Sequence, residues 1–237
     1  MRVETVRGRL RKLADRKKAE FFPSFFKTGK GEYGEGDVFI GVTVPLLRKL
    51  AKEFRQLDYA EIRLLLKSKI HEERLLALLI LTGRFSAAGE KERKKIFSFY
   101  LKHRAFVNNW DLVDASAPYI VGGYLADKDR RILYKLAKSK RLWDRRIAIV
   151  ATFRFIRNGD FTDTLALSRI LLNDREDLIH KAAGWMLREV YKRNADAVEN
   201  FINAFLEKMP RTMLRYAIER FPEPKRKEFL QRPKTAK

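Results

Sequence analysis

The 237-residue chain contains no cysteine, which excludes disulfides, thiolate zinc sites, iron–sulfur ligation and cysteine nucleophiles. Histidine is scarce: only His71, His103 and His180 occur, without a His-Glu-x-x-His or other ligand spacing, so neither a metal nor another cofactor is expected. Long apolar runs are missing too. The longest, Leu75 to Leu81, falls far short of the roughly 20 residues that cross a bilayer, and the start Met1-Arg2-Val3-Glu4 has no apolar stretch behind it to form a signal peptide. These absences point to a soluble, cytoplasmic chain. Acids are under-represented: 30 Asp and Glu face 52 Lys and Arg, a formal charge of +22 with a pI near 10.3. That excess favours polyanions, nucleic acid first, although a surface rich in solvated charge gives the same count. A hydrophobic content of 46% is enough for one substantial domain or a short repeat array.

What is present reads as helix almost throughout. Apolar residues recur with helical period over 3–14, 17–26, 44–56, 59–68, 71–84, 90–103, 110–124, 128–138, 143–157, 161–172, 176–193, 196–208 and 211–220, with Gly, Pro, Asp and Asn between. One segment breaks the pattern. Lys27-Thr28-Gly29-Lys30-Gly31-Glu32-Tyr33-Gly34-Glu35-Gly36-Asp37 holds four glycines and predicts a loop before Pro45 opens the next helix; Lys27 and Lys30 are candidate phosphate contacts on it. These glycines follow no strand and make no Walker A sequence, so they predict no nucleotide-binding loop.

A repeat underlies the helices. His71-Glu72-Glu73-Arg74-Leu75-Leu76-Ala77, Trp143-Asp144-Arg145-Arg146-Ile147-Ala148-Ile149, Leu178-Ile179-His180-Lys181-Ala182-Ala183-Gly184 and Thr212-Met213-Leu214-Arg215-Tyr216-Ala217-Ile218 each bring a basic residue into an apolar helix. Aligned on Arg74, Arg146, Lys181 and Arg215, they lie 72, 35 and 34 residues apart, a unit of about 35 with one copy skipped near 110. This predicts an all-α architecture, an alpha–alpha superhelix of HEAT-like helix pairs with a concave basic groove. Residues 1–237 read as a single such domain, with the 27–37 loop and a basic tail at 222–237.

The skipped copy holds Trp110-Asp111-Leu112-Val113-Asp114. Trp110 and Asp114, at i and i+4, share one helix face. An acid beside an aromatic ring in so basic a chain suggests chemistry on a cationic group. Ordinary explanations exist for each member. Trp110 and Trp185 fit a helical core, Asp111 and Asp114 fit a helix cap or dipole, and Arg146 and Lys181 fit solvated charge. Their conjunction at equivalent repeat positions is what core packing alone explains poorly.

In order along the chain, Trp110-Asp111-Leu112-Val113-Asp114, Asp144-Arg145-Arg146-Ile147-Ala148-Ile149 and Lys181-Ala182-Ala183-Gly184-Trp185-Met186-Leu187-Arg188-Glu189 resemble the motifs of the AlkD-type DNA alkylation repair glycosylases. The resemblance runs from about Val38 to about Phe221. It implies HEAT-like repeats with a concave basic surface for duplex DNA, Trp110 and Trp185 flanking the damaged nucleotide, Asp114 as the catalytic carboxylate, and Arg146 on the nearby backbone. Lys181 and Arg188 join Arg146 as expected DNA contacts. It also implies a lesion reached without enclosing the base. The glycine-rich loop is longer than in the best-known members of that family.

The implied chemistry suits these residue types. A purine alkylated at N3 or N7 is already cationic and a good leaving group, so little general-acid help is needed. A carboxylate can stabilise the positive charge that develops on the deoxyribose and orient the attacking water. Tryptophan faces attract cations by roughly 0.5 to 2 kcal/mol each. No amine nucleophile stands out, which points away from a lyase. The leading expectation is thus a monofunctional DNA glycosylase of base excision repair, a monomer acting on 3-methyladenine and 7-methylguanine in double-stranded DNA. The alternatives are a noncatalytic solenoid that binds damaged or bent nucleic acid, and a scaffold whose basic groove takes an acidic protein.

Overall fold

The computed structural model describes residues 2–231. Sixteen α-helices follow one another: α1 (Val3–Arg11), α2 (Arg16–Phe25), α3 (Val44–Glu53), α4 (Tyr59–Leu66), α5 (His71–Ala87), α6 (Glu90–His103), α7 (Trp110–Asp114), α8 (Ala117–Tyr124), α9 (Arg131–Ala137), α10 (Leu142–Ala151), α11 (Phe153–Arg157), α12 (Thr162–Ile170), α13 (Asp177–Tyr191), α14 (Ala195–Phe205), α15 (Arg211–Ala217) and α16 (Glu223–Gln231). Among the described residues the only β-type pairing is an isolated bridge between Val38 and Ile70. None of these helices is long and apolar enough to cross a membrane.

Contacts gather the chain into two compact units, one up to Ile120 and one from Val121. In the first, the 17-residue α5 is the central element, packed against α3, α4, α6 and α7. In the second, the 15-residue α13 plays that part against α10, α11, α12, α14 and α15. Helices therefore touch near neighbours in sequence, the pattern of an alpha–alpha superhelix built from helix pairs. Both central helices bury apolar residues on most of their circumference, including Leu75, Leu76, Leu78, Ile80 and Leu81 in α5 and Ile179, Met186, Leu187 and Val190 in α13. Gly184 lets α13 approach α15. A Cβ there would lie 2.5 Å from both the Met213 carbonyl oxygen and Tyr216 Cβ.

The helix expected over 143–157 is divided into α10 and α11 at Thr152, and that expected over 110–124 is likewise divided in two. Pro118 has no N–H to offer the Asp114 carbonyl four residues back, and Ser116 Oγ instead donates to the Leu112 carbonyl at 2.5 Å. The break makes Asp114 the last residue of α7. At the other end of the chain, residues 223–231 of the expected basic tail form α16, whose Phe229 is buried. Lys234 lies outside the described residues.

The repeat is visible as a recurring turn. Ser68 Oγ accepts the Ile70 amide (3.0 Å), Ser139 Oγ the Arg141 amide (3.2 Å), and Asp174 Oδ1 the Glu176 amide (3.0 Å). One turn into the following helix, Arg74 Nη1 reaches back to the Ser68 carbonyl (2.9 Å), Arg145 Nη1 to the Ser139 carbonyl (3.0 Å), and His180 Nε2 to the Asp174 carbonyl (2.8 Å). Arg74 thus matches Arg145, 71 residues on, rather than Arg146. The Lys-Ser-Lys run at 67–69 recurs at 138–140 in the same register.

Candidate functional site

A cleft of about 910 Å³ lies in the first unit. Its wall is aromatic: Phe21, Phe22 and Phe25 of α2, then Phe26, Phe39 and Trp110. Phe26 stacks on Trp110 (centroids 5.5 Å apart, planes 16° apart) while Phe25 meets the same indole edge-on at 5.9 Å. One face of Trp110 is therefore covered by Phe26. Phe21 and Phe25 remain 60% and 53% exposed, so the aromatic wall reaches the surface.

Three carboxylates line this cleft: Glu72, Asp111 and Asp114. Glu72 is turned onto the backbone, accepting the amides of Ile40 (3.1 Å), Gly41 (2.8 Å) and Val42 (3.3 Å). Gly41 holds φ of +83°, and a Cβ there would collide with the Asp15 carbonyl oxygen, so this three-amide cradle depends on glycine. Burial nevertheless pushes the Glu72 carboxyl above its usual range, the amides only partly opposing it.

Asp111 is held by His71. The buried imidazole lies between two carboxylates, with Nδ1 3.0 Å from Asp37 Oδ2 and Nε2 2.7 Å from Asp111 Oδ2. Both ring nitrogens face acceptors, so the imidazolium satisfies both contacts. Burial works against that charge, but the Asp111 carboxylate and the hydrogen bonds of Asp111 and Asp37 outweigh burial and the repulsion of Arg74, raising the His71 pKa to about 9. Burial likewise opposes ionisation of Asp37, yet the bond from His71 and the charge of Arg74, whose Nη2 is 2.6 Å away, hold its carboxyl below the usual value. Asn109 Nδ2 donates to the same carboxylate at 3.3 Å, and Phe26 and Phe39 pack on the His71 ring at 4.9 and 4.7 Å. The glycine-rich loop therefore ends in Asp37, a fixed partner of the helix start that carries Trp110. The Gly34 amide closes the loop on itself by donating to the Lys27 carbonyl (3.0 Å), just beyond the end of α2; a Cβ on Gly34 would meet the Phe26 carbonyl oxygen at 2.6 Å.

Of the residues singled out in the sequence, the structure brings Trp110 and Asp114 to this one cleft. Asp111 lines it too, Lys27 and Lys30 lie in the same unit, and Trp185, Arg146, Lys181 and Arg188 lie in the second. Trp185 is half-buried on α13, with Phe153 at 6.0 Å. Arg146 is 5% exposed, and its Nη1 donates to the Leu178 carbonyl at 2.7 Å. Lys181 Nζ pairs with Asp177 at 2.8 Å, and Arg188 pairs with Glu219. Sequence reasoning missed Phe25, Phe26, Phe39, His71 and Asp37 as neighbours of the cleft. The signal for Phe25 and Phe26 was the dense run Phe21-Phe22-Pro23-Ser24-Phe25-Phe26 immediately before the glycines.

An aromatic wall with compensated acids at its base is suited to a planar cation, and two comparisons bear on which. The family model described as DNA alkylation repair enzyme matches residues 6–221. A solved structure from Enterococcus faecalis, described as a predicted DNA alkylation repair enzyme, superposes with a TM-score of 0.68 at 17% identity, covering 89% of this chain and 97% of that one. At that identity the likeness speaks for the fold. No curated protein sequence matches the chain.

Proposed function

Because the chain belongs to the DNA alkylation repair enzyme family, we propose that it is a monofunctional DNA glycosylase that hydrolyses the N-glycosidic bond of purines alkylated at N3 or N7. The observation that carries this reading is the meeting of Trp110 and Asp114 on one aromatic cleft. A cationic base is drawn to the open face of Trp110. As the C1′–N bond breaks, its electron pair goes to the purine nitrogen and neutralises the base. The positive charge left on the sugar is stabilised by the Asp114 carboxylate, water adds at C1′, and the water proton passes through Asp114 to solvent.

In this reading Trp185 supplies a second aromatic contact to the lesion nucleotide and Arg146 contacts the DNA backbone, roles carried from the family resemblance, and Lys181 and Arg188 are further DNA contacts. Each of these cations already has a protein partner. Lys181 and Arg188 reach a phosphate by exchanging a carboxylate for it, and Arg146 by sharing its guanidinium. The formal charge of +22 supports a duplex DNA substrate.

The test is release of free base from methylated duplex DNA, following 7-methylguanine and 3-methyladenine separately, by wild type and Asp114→Asn. Release that collapses in a folded Asp114→Asn variant that still binds DNA is the expected result. A folded wild type that binds DNA and frees neither base overturns the assignment in favour of a noncatalytic binder of damaged DNA.

A further inference from the structure

The aromatic cleft does not stand alone in its unit. On one side it shares Thr43 with a recess of about 450 Å³ bordered by Lys12, Arg16, Lys17 and Lys18. On the other it shares Arg48 with a recess of about 510 Å³ bordered by Lys52 and Arg55. The order along this surface is therefore cationic, aromatic and acidic, then cationic again, with α3 running beneath it from its N-cap Thr43 to Lys52 in its last turn.

Four of the seven cations bordering the two recesses differ in kind from Arg146, Lys181 and Arg188. Lys18 is engaged by Asp15, Arg16 by Glu20 (3.0 Å), and Arg55 by the Gly83 carbonyl (2.7 Å). Lys12, Lys17, Arg48 and Lys52 are exposed, and among the described residues none has a side-chain ion pair or hydrogen bond. Arg48 and Lys52, at i and i+4, project from one helix face about 6 Å apart along its axis, the order of the step between neighbouring phosphates on a strand. Unpaired cations beside a cleft of opposite character repel one another. That arrangement is relieved by a polyanion with a cationic centre.

We infer that these two recesses hold the backbone of a single DNA strand, the one carrying the modified base, with phosphates on one side of the lesion at Lys12 and Lys17, phosphates on the other side at Arg48 and Lys52, and the lesion over the cleft between. The inference rests on the cleft being the lesion site. It adds the path of the strand, along α3, and four residues that grip it. Charge matching sets the register. Phosphates avoid Asp111 and Asp114, and a cationic base avoids both recesses, so a shift along α3 puts like charges together.

The experiment uses the full chain and a fluorescent duplex with one site-specific 7-methylguanine, with Asp114→Asn added throughout to hold the base in place. The slope of log binding constant against log salt is compared for three double substitutions: Lys12→Gln with Lys17→Gln, Arg48→Gln with Lys52→Gln, and, as a control at exposed α6 residues that line neither the cleft nor the recesses, Lys91→Gln with Lys94→Gln. Each neutralised phosphate contact contributes about 0.9 to that slope, so each recess pair should flatten it by about 1.8 while the α6 pair leaves it unchanged. Hydroxyl-radical footprints should then lose protection on the lesion strand, on one side of the 7-methylguanine for one pair and on the opposite side for the other. Equal flattening by the α6 pair, protection moving to the complementary strand, or tighter binding of a hairpin RNA through the same residues would each overturn the inference. Base release separates this from the glycosylase reading. An enzyme that frees 7-methylguanine with recess pairs silent in the slope loses the strand path alone, and a protein that frees none yet shows both flanking footprints keeps it.

Discussion

His71 Nε2 lies 2.7 Å from Asp111 Oδ2, so the residue after Trp110 is pinned to the central helix of its unit by a buried imidazolium. Asp37 holds the other ring nitrogen at 3.0 Å. One histidine therefore joins the end of the glycine-rich loop to the start of α7.

The pH dependence of stability follows from that arrangement. His71 moves from an ordinary value of 6.5 to about 9 on folding, a contribution on the order of 3 kcal/mol. Because the folded value is the higher one, the contribution is complete below pH 6.5 and is lost as pH rises through about 9. Asp37 acts in the opposite range, its stabilisation present above 3.8 and lost as pH falls, while raised Glu72 costs stability as pH climbs past 4.5. Urea midpoints of wild type and His71→Asn should lie far apart near pH ~6 and converge near pH ~10. A gap independent of pH would show that His71 is not the titrating group.

Asp111→Asn and Asp114→Asn should separate stability from chemistry. The first leaves His71 with one carboxylate fewer in a buried site and should cost about 1–3 kcal/mol, read as a lowered Tm. The second, at the end of α7, should leave Tm within a few degrees while base release falls about 100-fold or more, the scale of removing one electrostatic stabiliser. The reverse assignment, with activity lost only in Asp111→Asn, would move the catalytic carboxylate one turn back.

Gly184→Ala adds a methyl 2.5 Å from the Met213 carbonyl oxygen and from Tyr216 Cβ. Helices α13 and α15 must separate, at about 1–3 kcal/mol. A reduced urea midpoint at unchanged m-value is the expected signature; an unchanged midpoint would mean the helices part at no cost.

Arg146→Gln removes a buried donor from the Leu178 carbonyl, and that carbonyl sits at the first turn of α13, beside Asp177 and Lys181. A loss of about 1–3 kcal/mol in unfolding free energy is expected. Full stability combined with weaker DNA binding would instead make Arg146 a pure DNA contact.

Helical period placed fifteen of the sixteen α-helices within a few residues, because apolar spacing reports which face is buried. It ran α10 and α11 together across Thr152, and α7 and α8 because periodicity is continuous across Asp114, where Pro118 with Ser116 was the overlooked signal. It missed α16, whose apolar stripe is nearly absent and which is held through Phe229. Trp110 and Asp114 were legible as a pair since i,i+4 geometry is local. The His71–Asp37–Asp111 network was not, because its members are 34 and 40 residues apart and burial, which gives the imidazolium its importance, has no local signature. The repeat was seen but aligned one residue out: hydrogen bonding matches Arg74 to Arg145, whereas basic character alone does not distinguish Arg145 from Arg146.

The turn shared by Ser68, Ser139 and Asp174 has a consequence for how such a chain changes length. Each copy carries its own amide acceptor and its own reach-back donor, and these vary in type, serine or aspartate for one and arginine or histidine for the other. A duplicated helix pair therefore arrives with its own turn closed, while Arg145, which also donates to Asp174 of the next copy at 2.5 Å, ties one joint to the one after it. Ancestral chains assembled in this way can gain or shed a module at a time. Once a spare copy exists, its slot is released from the work of closing a turn and is open to acquire a tryptophan and a carboxylate.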